Sequence, residues 1–162
     1  MNNNHLKQAS ELWVNGKPLE AGRMVYESLP VESRPIWASR ILKLILGKSG
    51  IQSSQLDYLL KVADNKHLWK EGHRAFSDIR RSVLKLDELR RNRPLSDDEA
   101  LQCDVLSFAE LVAKVVYNAT NPIDEFDEDS GWYIGASLRG FVDLEWPDVA
   151  FAKEAWESLS SS

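Results

Sequence analysis

Five of the six residues from Asp124 to Asp129 are carboxylates, within a stretch that reads Tyr-Asn-Ala-Thr-Asn-Pro-Ile-Asp-Glu-Phe-Asp-Glu-Asp-Ser-Gly-Trp from Tyr117 to Trp132. Carboxylates this dense repel one another, and only a helix N-terminus, basic side chains, a divalent cation or open water offsets that repulsion. Asp127, Glu128 and Asp129 precede the apolar spacing that begins at Ser130, so unpaired amides at a helix start account for them. Ile123, Asp124, Glu125 and Phe126 have no such account.

Two chemistries suit the remainder. Ile123 and Phe126 put apolar anchors among charges, the mixture by which a surface steers and then holds a basic protein. On that reading Ile123, Asp124, Glu125, Phe126, Asp127 and Trp132 are the partner-binding residues, and the chain is a non-enzymatic interaction module of inhibitor or immunity type. The alternative is an enzyme or sensor that takes a divalent cation, because Asp127, Asp129 and Gly131 alternate as oxygen ligands and a flexible residue would. The EF-hand register fails: counting from Asp127 puts Trp132 at the turn glycine and Leu138 at the bidentate glutamate.

No other residues assemble a reaction. His5, His67 and His73 share no i, i+4 face, and Asp64-x-x-His67 stands alone where a di-iron bundle needs paired Glu-x-x-His motifs. Cys103 adjoins Asp104 and has no basic neighbour in sequence to favour a thiolate. The glycine patterns of nucleotide sites and the serine nucleophile elbow do not occur, so no cofactor is expected.

The helices that hold the acid-rich stretch follow from periodicity. Leu101, Val105, Phe108, Val112, Val115 and Ala119 form one stripe, and Trp69, Phe76, Ile79, Val83 and Leu86 form another. These predict long helices over 67–92 and 97–119, broken at Pro94 and restarted by a capping box from Ser96 to Glu99. They should pair as an antiparallel hairpin, which sets the acid-rich stretch beside Lys66, Lys70, His73 and Arg74. The six cations from Arg80 to Arg93 then centre on the far end of the hairpin, with Arg91 about 30 Å or more away at 1.5 Å per helical residue.

Before the hairpin, Leu6, Ala9, Leu12 and Trp13 predict one helix, and Pro18 opens a second. The order Leu12, Gly16, Ala21, Val25, Ser28 resembles a single tetratricopeptide-type hairpin, whose small residues let two helices approach. The family's period of about 34 residues puts Gly50 opposite Gly16 but Gln55 opposite Ala21, so no repeat array is expected. Ser33 offers a cap for a central third helix carrying Trp37, Ile41, Leu44 and Ile45, and Ser53 and Ser54 precede a short fourth. Two more helices are expected over 130–144 and from Pro147.

The fold class is therefore all-α, one domain over 1–162, with about seven helices. Hydrophobic residues at 43% and charged ones at 28% are globular usage. A net charge of -5 works against tight nucleic-acid binding. No run spans a bilayer and the N-terminus lacks a secretory pattern, so a cytoplasmic location without membrane association is expected. The single cysteine fits a reducing compartment, and the Asn118-Ala119-Thr120 sequon reads as chance.

Overall fold

A computed structural model describes residues 3–120 together with Tyr133 and Ile134. The described chain forms six α-helices: α1 (Asn3–Val14), α2 (Pro18–Ser28), α3 (Arg34–Ser49), α4 (Ser54–Asp64), α5 (Gly72–Asn92) and α6 (Asp97–Asn118). Two 3-10 segments, Val31–Ser33 and Lys66–Glu71, join them, and no strand occurs among the described residues. Of the two further helices expected after residue 130, only Tyr133 and Ile134 are described, both helical.

Local chemistry sets most boundaries. Gly16, with φ at +78°, makes the left-handed turn that lets the Lys17 amide donate to the Leu12 carbonyl at 2.8 Å, and Pro18 then opens α2. Gly50, at φ +71°, ends α3 as its amide donates to the Leu46 carbonyl. Ser53 caps α4 by accepting from the Gln55 amide at 3.2 Å. The box at α6 has both halves: the Glu99 amide donates to Ser96 Oγ, and the Ser96 amide donates to Glu99 Oε1 at 3.0 Å.

Two boundaries differ from the sequence expectation. Ser33 does not cap α3 through its side chain, because it already has helical dihedrals at the end of the Val31–Ser33 turn. The helix expected from residue 67 begins at Gly72 instead. Trp69 Nε1 donates to the Ala63 carbonyl at 2.9 Å, which folds the preceding segment back onto the end of α4 as a 3-10 turn.

α5 and α6 run antiparallel, as Gly72 beside Tyr117, Arg80 beside Glu110 and Arg90 beside Cys103 require. A Cβ built on Gly72 would lie 3.0 Å from the Tyr117 amide nitrogen and 3.2 Å from the Ala113 carbonyl. Backbones this close favour glycine there.

The most surrounded helix is α6, not the expected α3. It packs on α3, α4, α5 and the Lys66–Glu71 turn, and buries Val105, Leu106, Phe108, Ala109, Val112, Ala113, Val115 and Val116. Each fully buried Val, Leu or Phe contributes about 1.5–3 kcal/mol against exposure. Polar ties complete the joins: Asp64 accepts from Ser39 and from Lys43, each at 2.7 Å, and Arg34 stacks 4.2 Å above the Tyr26 ring. Trp37 is the exception, since its buried Nε1 has no hydrogen-bond partner among the described residues.

Candidate functional site

Ile123, Asp124, Glu125, Phe126, Asp127 and Trp132 lie outside the described residues. The structure describes the surface from which that segment departs and the point to which it returns. Departure is from the last turn of α6, where Thr120 Oγ1 donates to the Tyr117 carbonyl at 2.9 Å. Return is at Tyr133, 44% exposed, and Ile134, fully buried.

Of Lys66, Lys70, His73 and Arg74, the structure shows His73 against the end of α6. The His73 and Tyr117 rings meet edge to face with centroids 5.4 Å apart. Lys66 is already engaged: Nζ lies 2.8 Å from Glu32, and this ammonium holds the Glu32 carboxyl below its usual range. Both polar atoms of the Asn118 amide are buried without a hydrogen-bond partner among the described residues. A buried amide nitrogen presents no glycosylation acceptor, so the sequon has no accessible nucleophile in the fold.

On the adjoining face, an open cleft of about 240 Å³ lies between α4 and α5, lined by Ser54, Gln55, Tyr58, Arg74, Ala75 and Asp78. Its walls are tied down by polar contacts. Gln55 Nε2 donates to the Asp78 carbonyl at 3.2 Å while Gln55 Oε1 accepts from Ser82 Oγ at 2.9 Å. Tyr58 Oη donates to Glu71 Oε2 at 3.4 Å, and burial followed by the Glu71 charge pushes the phenol pKa up. Both ends of the Gln55 amide are therefore occupied within the cleft wall.

The cations from Arg80 to Arg93 are paired largely within the hairpin. Arg81 meets Asp78 at 2.6 Å, Arg90 meets Asp87 at 3.7 Å, and Arg93 grips both oxygens of Glu99 at 2.8 Å. The Arg93 guanidinium, with the Ser96 amide, brings the Glu99 carboxyl down to about 2.

Two pairings escaped the sequence reading. Glu110 sits on the apolar face of α6, almost wholly buried, with Arg80 Nη1 3.3 Å away. Burial raises its pKa while Arg80 pulls it the other way. The available signal was a carboxylate flanked by Ala109, Val112 and Ala113 on a buried stripe. The other is Arg90 Nη2, 3.7 Å from Cys103 Sγ, a cation thirteen residues away in sequence.

The remaining chemical candidates are placed apart. Asp64 of the Asp64-x-x-His67 match is committed to Ser39 and Lys43, and His5 and His67 are exposed. Among the described residues no three His, Cys, Asp or Glu side chains converge as metal ligands would. No described helix is long and apolar enough to cross a membrane.

No protein-family model and no solved structure matches the chain. Over 133 residues, 80% of this chain, the sequence is 24% identical to a phycobilisome 39 kDa linker polypeptide, phycocyanin-associated and assigned to the rod, from Microchaete diplosiphon. The match takes up 46% of that polypeptide, so the chain spans about half the length of the relative it resembles.

Proposed function

We propose that this chain is a non-catalytic protein-interaction module that joins protein subunits as a linker. The observation that carries the reading is the similarity along 133 residues to a polypeptide named as a linker and as phycocyanin-associated. It favours a scaffolding role over the inhibitor or immunity role, because an inhibitor would be expected to resemble inhibitors. The helical framework suits a linker, since its apolar faces are spent on one shared cluster of buried side chains, which leaves a rigid body with decorated surfaces.

The contact proposed for that module is the acid-rich segment, with Ile123, Phe126 and Trp132 as apolar anchors and Asp124, Glu125 and Asp127 facing a basic patch on the partner. Opposite charge at the rim speeds encounter, and buried aromatics slow release.

The test uses the full chain and purified phycocyanin in sedimentation velocity, beside Asp124→Asn/Glu125→Gln/Phe126→Ala. Wild type is expected to co-sediment with phycocyanin, and the triple variant to bind at least about tenfold more weakly. Absence of a complex at concentrations of tens of micromolar rejects the phycocyanin linker. Equal binding by both chains keeps the linker and removes the acid-rich segment from its contact.

A further inference from the structure

Arg74 stands on α5 with an acid on either side, Glu71 three residues before it and Asp78 four residues after, the spacings at which a helix pairs opposite charges. It pairs with neither. Glu71 Oε2 accepts from Tyr58 Oη at 3.4 Å, and Asp78 Oδ1 accepts from Arg81 at 2.6 Å. Arg74 enters no ion pair among the described residues, although it is exposed and lines the cleft between α4 and α5.

The polar groups of that cleft divide by role. Its acceptors receive donors from the protein itself: the Asp78 carboxylate from Arg81, the Asp78 carbonyl from Gln55 Nε2, and Gln55 Oε1 from Ser82. Its open groups are donors, namely the Arg74 guanidinium with five N–H bonds and the exposed Ser54 hydroxyl, which makes no side-chain hydrogen bond among the described residues. The Arg74 charge acts on the Tyr58 phenol against burial and Glu71, which sets the cation on the Tyr58 side of the cleft. We propose that this cleft is a binding site for a carboxylate group, with Arg74 holding the charge and Ser54 adding a hydrogen bond.

Charge and size narrow the ligand. A single uncommitted cation with two acids near it in sequence suits one negative charge better than the two of a phosphate dianion. The cleft, at about 240 Å³, falls below the roughly 300–1,000 Å³ of sites for drug-sized molecules, so it has room for a short acid or one acidic side chain and none for a nucleotide. Ala75, buried, and Tyr58, half buried, supply wall for the hydrocarbon part of such a group. Arginine presents its donors as a planar fork that matches a carboxylate, which lysine does not. The inference is independent of the linker reading, because it uses residues of α4 and α5 alone.

Butyrate is the probe, added to the 15N-labelled full chain at constant ionic strength, with sodium chloride and neutral butyramide as controls. The Arg74 Nε–Hε signal and the Ser54 and Gln55 amide signals should shift and saturate with butyrate and stay in place with either control. Loss of a charge-assisted hydrogen bond in Arg74→Gln should weaken binding at least about tenfold, and loss of a neutral one in Ser54→Ala about threefold. Arg74→Lys should fall between wild type and Arg74→Gln, since it keeps the charge without the fork. Arg74→Gln should melt with wild type, because its side chain makes no ion pair within the described fold. A blocked Gly-Glu-Gly peptide separates the two sources of a carboxylate: binding at least as tight as butyrate assigns the site to an acidic side chain of another protein, and binding of butyrate alone assigns it to a free acid. Shifts that never saturate, that chloride or butyramide reproduces, or that survive unchanged in Arg74→Gln would mean an adventitious ion only and overturn the site.

Discussion

Glu110 is the described carboxylate most removed from water, and its partner Arg80 is half exposed, so attraction only partly offsets the cost of burying the charge. A carboxyl whose folded pKa is raised contributes stability that is fully present below its unfolded value of 4.5 and is lost as pH rises through the folded value. Arg80 and Asp87 on α5 and Lys114 on α6 act on it electrostatically. Glu99 behaves in the opposite sense. Its contribution is present above 4.5 and is lost as pH falls through about 2. Urea unfolding of wild type and Glu110→Gln at pH 4 and pH 7 separates the two groups. The stability of wild type relative to the variant should fall between pH 4 and pH 7, and a difference independent of pH would mean that Glu110 is not perturbed by folding.

At the scale of elements, the contact of α5 with α6 at Gly72 tests the hairpin's register. Alanine there gains up to about 1 kcal/mol in helix propensity but forces a methyl against two backbone atoms, an overpacking cost of about 1–3 kcal/mol. Gly72→Ala should therefore lose up to about 2 kcal/mol in a thermal or urea melt, and a raised melting temperature would show that the helices separate there at no cost. Such a contact also marks where sequence reading ends. The stripes on α5 and α6, the Ser96–Glu99 box and the Gly50 stop are local patterns, and each could be read from neighbouring residues. The late start of α5 could not, because it depends on Trp69 reaching the Ala63 carbonyl and on Gly72 meeting α6, forty-five residues away at Tyr117. The role of α6 as the hub was equally hidden. Apolar residues on nearly all its sides weaken the amphipathic signal that marks a helix with one buried face. Of the interaction residues named from sequence, the acid-rich segment was legible as unusual composition, while the cations near its point of departure followed only after the hairpin's register was known.

Taken whole, the molecule carries exposed cations outside any ion pair among the described residues at both ends of one hairpin: Arg74 on α5 near Gly72, where the acid-rich sequence follows α6, and Lys85 and Arg91 towards the other end. The same hairpin is also uneven along its length. At Gly72 the two backbones touch with no side chain between them, whereas the turn from Arg93 to Ser96 is mostly exposed. Amide hydrogens report that gradient directly, since exchange proceeds through local openings whose free energy follows burial. Amides from Ala113 to Tyr117 should exchange with deuterium slowest along the hairpin and those from Asn92 to Asp98 fastest. A uniform exchange rate would show that the hairpin opens as one piece. If the gradient holds, the acid-rich segment is launched from the stiff end of a lever, and a load taken up there reaches the rest of the molecule with little loss.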